Sequence, residues 1–250
     1  MTSVRGLRAR LKRLVPPRVV FHVRRYASRV AAADLRAGPR RALYRRHGEV
    51  PDASQASIRE AYADHLGGGA AEWEARGAYQ VAVARELGLR PEHRLLEVGC
   101  GPGRASVHFA AFLSPERLVG FDQRPDYVQM AERAIAERGL EARGARFRWV
   151  QRFEMDDLGT FDYALAFSVL NHCTWSERAD FFERIPRHLA PGGRLLVTHA
   201  AWLDTPWFLD WVETAVRRRG LRLVRRIGAE EALAGGGYPG THPLFVFERA

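Results

Sequence analysis

At 250 residues the chain is long enough for one sizeable α/β domain with appendages and too short for two comfortable domains. A hydrophobic share of 46% supports a packed core, while only two cysteines, Cys100 and Cys173, argue against a disulfide scaffold and fit a reducing, cytoplasmic setting. The net charge of +10 is uneven: residues 1–48 carry 14 basic side chains against the single acid Asp34, which leaves −3 for everything that follows and weighs against a nucleic-acid groove across the body.

Val4, Leu7, Leu11 and Leu14 fall at helical spacing among Arg5, Arg8, Arg10, Lys12 and Arg13, which predicts a short basic amphipathic helix stopped by Pro16-Pro17. A second basic segment follows, with Val20, Val23, Tyr26 and Val30 similarly spaced. Residues 1–47 thus read as a basic helical extension. No run there approaches the roughly 20 apolar residues of a membrane span. Three readings of the extension stand side by side: peripheral attachment to an anionic membrane, an organelle-targeting peptide, and a solvated or enzyme-packed tail.

Residues 48–76 are acidic and rich in small side chains. Gly67-Gly68-Gly69 reads as a flexible break, and the stretch as a linker, or a lid built on Tyr62 and Trp73. From residue 77 to 250 the pattern becomes that of one domain. Residues 78–89 read as a helix ended by Gly88 and Pro91.

Leu95-Leu96-Glu97-Val98 then reads as a buried strand, and Gly99-Cys100-Gly101-Pro102-Gly103-Arg104 as a tight turn into a helix. Glycines permit a close backbone approach to a ligand. A dinucleotide fingerprint requires a sixth-position glycine, where this chain has Arg104. Glu97 would repel a diphosphate but suits a ligand carrying an ammonium group. Pro102 removes one N–H from any phosphate cradle.

The stretch resembles motif I of the class I S-adenosylmethionine-dependent methyltransferases. The resemblance implies that Glu97 helps to hold the methionine end of S-adenosyl-L-methionine, and that Gly99, Cys100, Gly101 and Gly103 pass beside the methionine and ribose. It implies a Rossmann-like, seven-stranded, mostly parallel sheet with helices on both faces and an antiparallel last strand.

A helix over residues 105–113 leads to a second buried strand, Leu118 to Asp122. Asp122 lies 19 residues beyond Gly103, close to the spacing of about 20 expected of an acid that accepts hydrogen bonds from ribose hydroxyls; Gln123 adjoins it as a further cofactor contact. Helix 125–140 and strand 146–151 follow. The family often places an aspartate for the adenine amino group in the next loop. This chain instead has Gln151, Arg152, Phe153 and Glu154, so Phe153 is taken to line the adenine pocket and Glu154 or Gln151 to meet the amino group.

Residues 161–172 resemble the fourth strand and its exit, where Phe167 faces the cofactor and His172 can serve as a general base. An imidazole with a pKa near ~6.5 suits that task. Asn171 is the alternative group to orient an acceptor, and a structural role for His172 is equally open. Helix 177–189 is followed by Pro191-Gly192-Gly193, read as a sharp turn into a strand at 194–198. His199 is the second base candidate; Trp202 and Asp204 share its loop. A helix over 208–219, strands at 221–227 and 243–248, and a glycine-rich loop bearing Thr241 and His242 complete the chain.

The function implied is methyl transfer from S-adenosyl-L-methionine to a small-molecule or glycan-like acceptor, most simply at oxygen. Rival readings are a lipid, quinone or lipid-linked glycan methyltransferase at a membrane, an RNA methyltransferase, and a non-catalytic cofactor-binding scaffold. No residue spacing predicts a metal site.

Overall fold

The computed structural model describes residues 69–155, 157–198, 213–214, 216–228 and 243–250. The expectations for residues 1–68, for the helix over most of 208–219, and for His199, Trp202, Asp204, Thr241 and His242 lie outside the described residues.

Helix α1 (Gly69–Glu86) is followed by β1 (Leu95–Val98), α2 (Ser106–Phe112), β2 (Leu118–Asp122), α3 (Pro125–Glu137), β3 (Arg146–Trp149), β4 (Phe161–Ala166), α4 (Trp175–Arg184), β5 (Leu189–Thr198), β6 (Leu221–Ile227) and β7 (Leu244–Arg249). The strands form one sheet in the order β3-β2-β1-β4-β5-β7-β6. All neighbours from β3 to β5 are parallel, and β7 runs antiparallel to both β5 and β6. The sheet therefore has the expected seven strands, with the last one reversed.

β1 is buried at every position, as a central parallel strand covered on both faces must be. Alternate residues serve opposite cores. Leu95, Leu118, Tyr163, Leu165 and Leu196 pack with α1, α2 and α3. Leu96, Val98, Phe121, Ala164 and Leu195 pack with Phe181, Phe182 and Ile185 on the α4 side. After β3 the chain returns across β1 to lay down β4 on its far side. The ends of β1 and β4 thus flank the point where strand order reverses, which is where open α/β sheets bind ligands.

Two boundaries depart from the sequence reading. Helix α1 begins at Gly69, inside the stretch read as linker, and stops at Glu86 rather than Leu89. Ala70, Ala71 and Glu72 are good helix formers, Glu72 pairs with Arg76 one turn on, and Trp73, Gly77, Val81 and Ala84 supply a buried stripe. Gly88, at φ +97°, ends the segment. The second departure is β5, which starts at Leu189, so Pro191-Gly192-Gly193 lies within a strand, beside a shift of register against β4. A Cβ on Gly193 would come within 3.1 Å of the carbonyl oxygens of Phe161 and Asp162. The glycine admits a close strand approach rather than a helix-closing turn.

Candidate functional site

The turn after β1 crosses the reversal point with Gly99, Gly101 and Gly103 at φ +69°, +54° and +86°. Their roles differ. A Cβ on Gly99 would lie 2.8 Å from Val169, and one on Gly103 would lie 2.9 Å from the Ala131 main chain of α3. Gly103 therefore performs the close helix packing that a dinucleotide fold assigns to its sixth position. A Cβ on Gly101 would meet nothing within 4 Å. Gly101 is the turn's open face.

The turn forms one wall of a cleft. Glu97, Val98, Gly99, Cys100, Gly101, Pro102, Arg104 and Ala105 line it from the β1 side, Leu165 and Phe167 from β4, and Trp73 and Gln80 from α1. Three of the turn's amides are already engaged: Cys100 N–H donates to the Phe121 carbonyl at 2.9 Å, Gly103 N–H to that of Cys100 at 3.2 Å, and Gly101 N–H to Asp122 Oδ2 at 3.0 Å. Pro102 has no N–H to offer. This leaves the turn poorly supplied with donors for a phosphate.

Glu97 is 6% exposed and accepts a 2.7 Å hydrogen bond from Ser106 Oγ at the start of α2. Burial pushes its carboxyl up to about 7, opposed by the Ser106 bond and the positive charge of Arg104. Asp122 ends β2, accepting from Gly101 N–H through one oxygen and from Arg124 N–H, at 3.0 Å, through the other. Burial raises it to about 6, against the pull of those two bonds. Glu97, buried in the cleft lining, and half-buried Asp122 at the end of β2 both have raised pKa values, which a cationic or hydroxyl-bearing group would draw down. The Cys100 thiol is buried and pushed up, so it packs rather than reacts.

The remaining expected residues scatter. Gln123 follows Asp122, and its carbonyl accepts from Trp149 Nε1 at 3.0 Å. Phe153 does not line the cleft: it is 1% exposed, edge-on to Phe121 and Phe181 within the core. Glu154 is exposed and pairs with Arg184 at 3.4 Å, and Gln151 is also exposed. Phe167 lines the cleft as expected. Cleft residues that sequence reasoning did not place are Gln80, Leu165 and Arg104; Trp73 sits where a lid residue was expected.

The exit of β4 closes the far side. Ser168 adopts φ +59°, its N–H donating to Thr198 Oγ1 at 2.7 Å, and Val169 packs against the Gly99 wall. The turn Leu170–His172 is tied down by Arg178, buried to 1% exposure, whose Nε donates to the Leu170 carbonyl at 3.0 Å. A Thr174–Glu177 capping box then starts α4. His172 is exposed, three residues beyond Val169, and is not part of the cleft lining. Among the described residues no group of three metal-ligating side chains is placed to hold an ion.

Residues 95–193 match the family model described as a methyltransferase domain. A 37.1 kDa protein of transposon TN4556 from Streptomyces fradiae is 30% identical over 56% of this chain and 39% of its own length. Trans-aconitate 2-methyltransferase of Rhizobium meliloti (strain 1021) is 30% identical over 50% of this chain and 45% of its own. The chain thus spans less than half the length of either relative. In three dimensions it resembles the magnesium protoporphyrin IX methyltransferase of Synechocystis PCC 6803, solved with bound S-adenosylmethionine. That match has a TM-score of 0.54 at 17% identity, covering 71% of this chain and 80% of that one.

Residues 95–193 thus resemble a methyltransferase domain, and the seven-stranded sheet has the Rossmann-like fold of that solved neighbour. That solved neighbour carries S-adenosylmethionine, which gives a ligand to set against the cleft. Glu97 and the open Gly101 in the cleft lining suit the ammonium and the close approach of such a ligand; Asp122, expected to meet the ribose hydroxyls, is not part of the lining and accepts from the Gly101 and Arg124 amides.

Proposed function

We propose that the protein is an S-adenosylmethionine-dependent methyltransferase acting on a small-molecule or glycan-like acceptor, at an oxygen atom. The observation that carries the reading is buried Glu97 lining the cleft beside the open Gly101, whose amide Asp122 holds, at the strand-order reversal. The bound cofactor supplies an electrophilic sulfonium methyl for in-line displacement. The chain's own residues orient it, exclude water on the Trp73 and Phe167 walls, and present the acceptor from the β4 exit. His172 is assigned as the base for an acceptor that arrives protonated, with His199 as the second candidate.

The first test is calorimetric titration of the purified protein with S-adenosylmethionine and S-adenosylhomocysteine. Binding that weakens in Glu97→Ala and Asp122→Ala supports the site; absence of binding by the folded wild type sinks the reading. Once turnover of an acceptor is measurable, His172→Ala should lower kcat by about 100-fold. Its affinity for S-adenosylhomocysteine and its unfolding midpoint should stay as in the wild type, since the side chain is exposed. A kcat unchanged by that variant removes His172 from the chemistry.

A second reading is favoured by one observation, the 14 basic residues against one acid in residues 1–48. Such an extension suits peripheral contact with an anionic membrane and a lipid, quinone or lipid-linked acceptor in a cytoplasmic enzyme. Among the described residues no helix is long and apolar enough to cross a membrane. Deleting residues 1–47 separates the possibilities: lost liposome association supports the membrane reading, lost salt-sensitive RNA binding an RNA substrate, and no change the soluble small molecule.

A further inference from the structure

We propose that the arginine-rich edge of β6 docks the protein on an anionic bilayer, at the same end of the sheet as the cleft. The inference deepens the membrane reading, yet it uses no residue of the basic extension and does not depend on the cofactor.

Arg217, Arg218, Arg219, Arg222, Arg225 and Arg226 stand within ten residues that contain no acid, in a body (residues 49–250) whose net charge is −3. All but Arg219 are exposed. Glu213 pairs with Arg217 at 3.2 Å, but the other acids that serve the segment are divided. Glu248 is shared by Arg222, at 2.8 Å, and Arg194, at 3.2 Å; Glu183 is shared by Arg219 and Arg187. The surface therefore keeps a positive excess, of the kind that attracts lipid phosphates.

Protecting a sheet edge does not require so much charge. β6 ends the sheet and pairs with β7 alone among the described strands, and such an edge is blunted by a bulge or a charged side chain or two. The bulge is already present: the register slips at Val224, so that Leu223 lies opposite Phe247 and Arg225 opposite Val246. Val224 is left 37% exposed in the middle of the arginines. An aliphatic side chain among guanidinium groups, with no aromatic ring in residues 217–226, suits a planar layer of lipid headgroups. It suits single-stranded RNA poorly, because unpaired bases bind by stacking on aromatic rings.

Strand register relates this edge to the cleft. Arg226 lies opposite Phe245, Phe245 opposite Val197, and Val197 opposite Ala166, the last residue of β4. In the same way Arg225 leads through Val246 and Leu196 to Leu165, which lines the cleft. Three strand spacings, about 14 Å, separate β6 from β4. That is close to the depth of one hydrocarbon leaflet, ~15 Å. A bilayer seated on the β6 edge would thus present a lipid-borne acceptor at the level of the β4 exit.

The test is co-sedimentation of the full chain with vesicles of equal parts phosphatidylglycerol and phosphatidylcholine, and with vesicles of phosphatidylcholine alone. The wild type should bind the first and not the second. Arg218→Gln/Arg225→Gln/Arg226→Gln should weaken partitioning onto the anionic vesicles by about tenfold or more, while the three matching Arg→Lys changes should stay within about threefold of the wild type. Arg90→Gln/Arg117→Gln/Arg133→Gln removes the same charge from exposed sites elsewhere and should also stay within about threefold. If the first triple variant misfolds, Arg218→Gln and Arg225→Gln singly, each expected at about threefold to fivefold, decide the matter. A wild type that ignores anionic vesicles overturns the inference, and so do equal losses in the two neutralised triples or none in the first. Loss of polyuridylate binding without loss of vesicle binding would assign the edge to nucleic acid and overturns it too. S-adenosylhomocysteine titration of the same samples keeps the questions apart: its failure bears on methyl transfer, and failure on vesicles bears on the β6 edge alone.

Discussion

On the side proposed to take the donor, at the ends of β1 and β2, the main chain itself is constrained: two glycines that cannot carry a side chain, buried Glu97 anchored by Ser106 Oγ, and half-buried Asp122 held by the amides of Gly101 and Arg124. On the side proposed to take the acceptor, at the exit of β4, no glycine appears, and the loop is held by tethers from elsewhere: Thr198 on Ser168, Arg178 on Leu170, and the Thr174–Glu177 cap. The first arrangement permits few sequences. The second fixes a backbone but leaves its outward residues, His172 among them, open to change. A common cofactor and a variable acceptor call for that division of labour.

The largest expected effect tests whether the donor turn is rigid for steric reasons. Gly103→Ala adds a methyl group 2.9 Å from the Ala131 main chain at a left-handed φ, so strain and overpacking combine to about 3–4 kcal/mol. Gly101→Ala meets open space, and only its φ is penalised, by about 1 kcal/mol. Urea denaturation of the two variants checks the contrast. Equal losses would show that conformation alone, and not helix packing, selects the glycines.

That contrast also explains what could be read in advance. Glycines at alternate positions, an acid before them and an acid 19 residues after them are sequence-local consequences of a turn squeezed between β1, α2 and α3. They made the glycine turn and the Rossmann-like sheet legible. Gln80 and Arg178 act across long separations, from helices whose faces are set by tertiary packing, and no spacing announces them. Phe153 looked like a ligand contact because of its place in the chain, yet its left-handed φ of +60° turns it into the core against Phe121 and Phe181. The start of α1 was obscured by three glycines, of which the last begins the helix.

A somewhat smaller effect separates binding from stability on the donor side. The Glu97 carboxyl moves from 4.5 in the open chain to about 7 in the fold. Below pH 4.5 both states hold the proton and nothing is lost; as pH rises through 7 the folded state must ionise a buried group, which costs about 3 kcal/mol. Glu97→Gln keeps an acceptor for Ser106 Oγ without the charge. It should be more stable than the wild type by about 2–3 kcal/mol at pH 8, with the gain vanishing below pH 4.5. Its affinity for S-adenosylhomocysteine should fall, because the ammonium of that ligand favours ionised Glu97. Wild-type affinity should accordingly rise with pH towards 7 and the variant's should stay flat. Chemical denaturation at several pH values, with parallel calorimetry, reads both. A variant that binds as tightly as the wild type would make Glu97 a structural acid.

The smallest effect probes the tethers. Arg178→Met fills much the same volume but removes the charge-assisted bond to the Leu170 carbonyl, which keeps only the Cys173 N–H at 3.3 Å, at about 2 kcal/mol. Because the lost bond belongs to one short turn, the damage should be local. The amides of His172 and Cys173, which donate to Val169 and Leu170, should lose most of their protection from hydrogen exchange, while the Cys100 and Gly103 amides of the donor turn keep theirs. S-adenosylhomocysteine affinity should change little. KM for an acceptor should rise more than kcat falls, since a loosened loop presents the acceptor poorly without altering the sulfonium. Loss of protection spread equally over both turns would show that the two sides of the cleft are one cooperative unit. The separation between a fixed donor site and a tethered acceptor loop would then have to be abandoned.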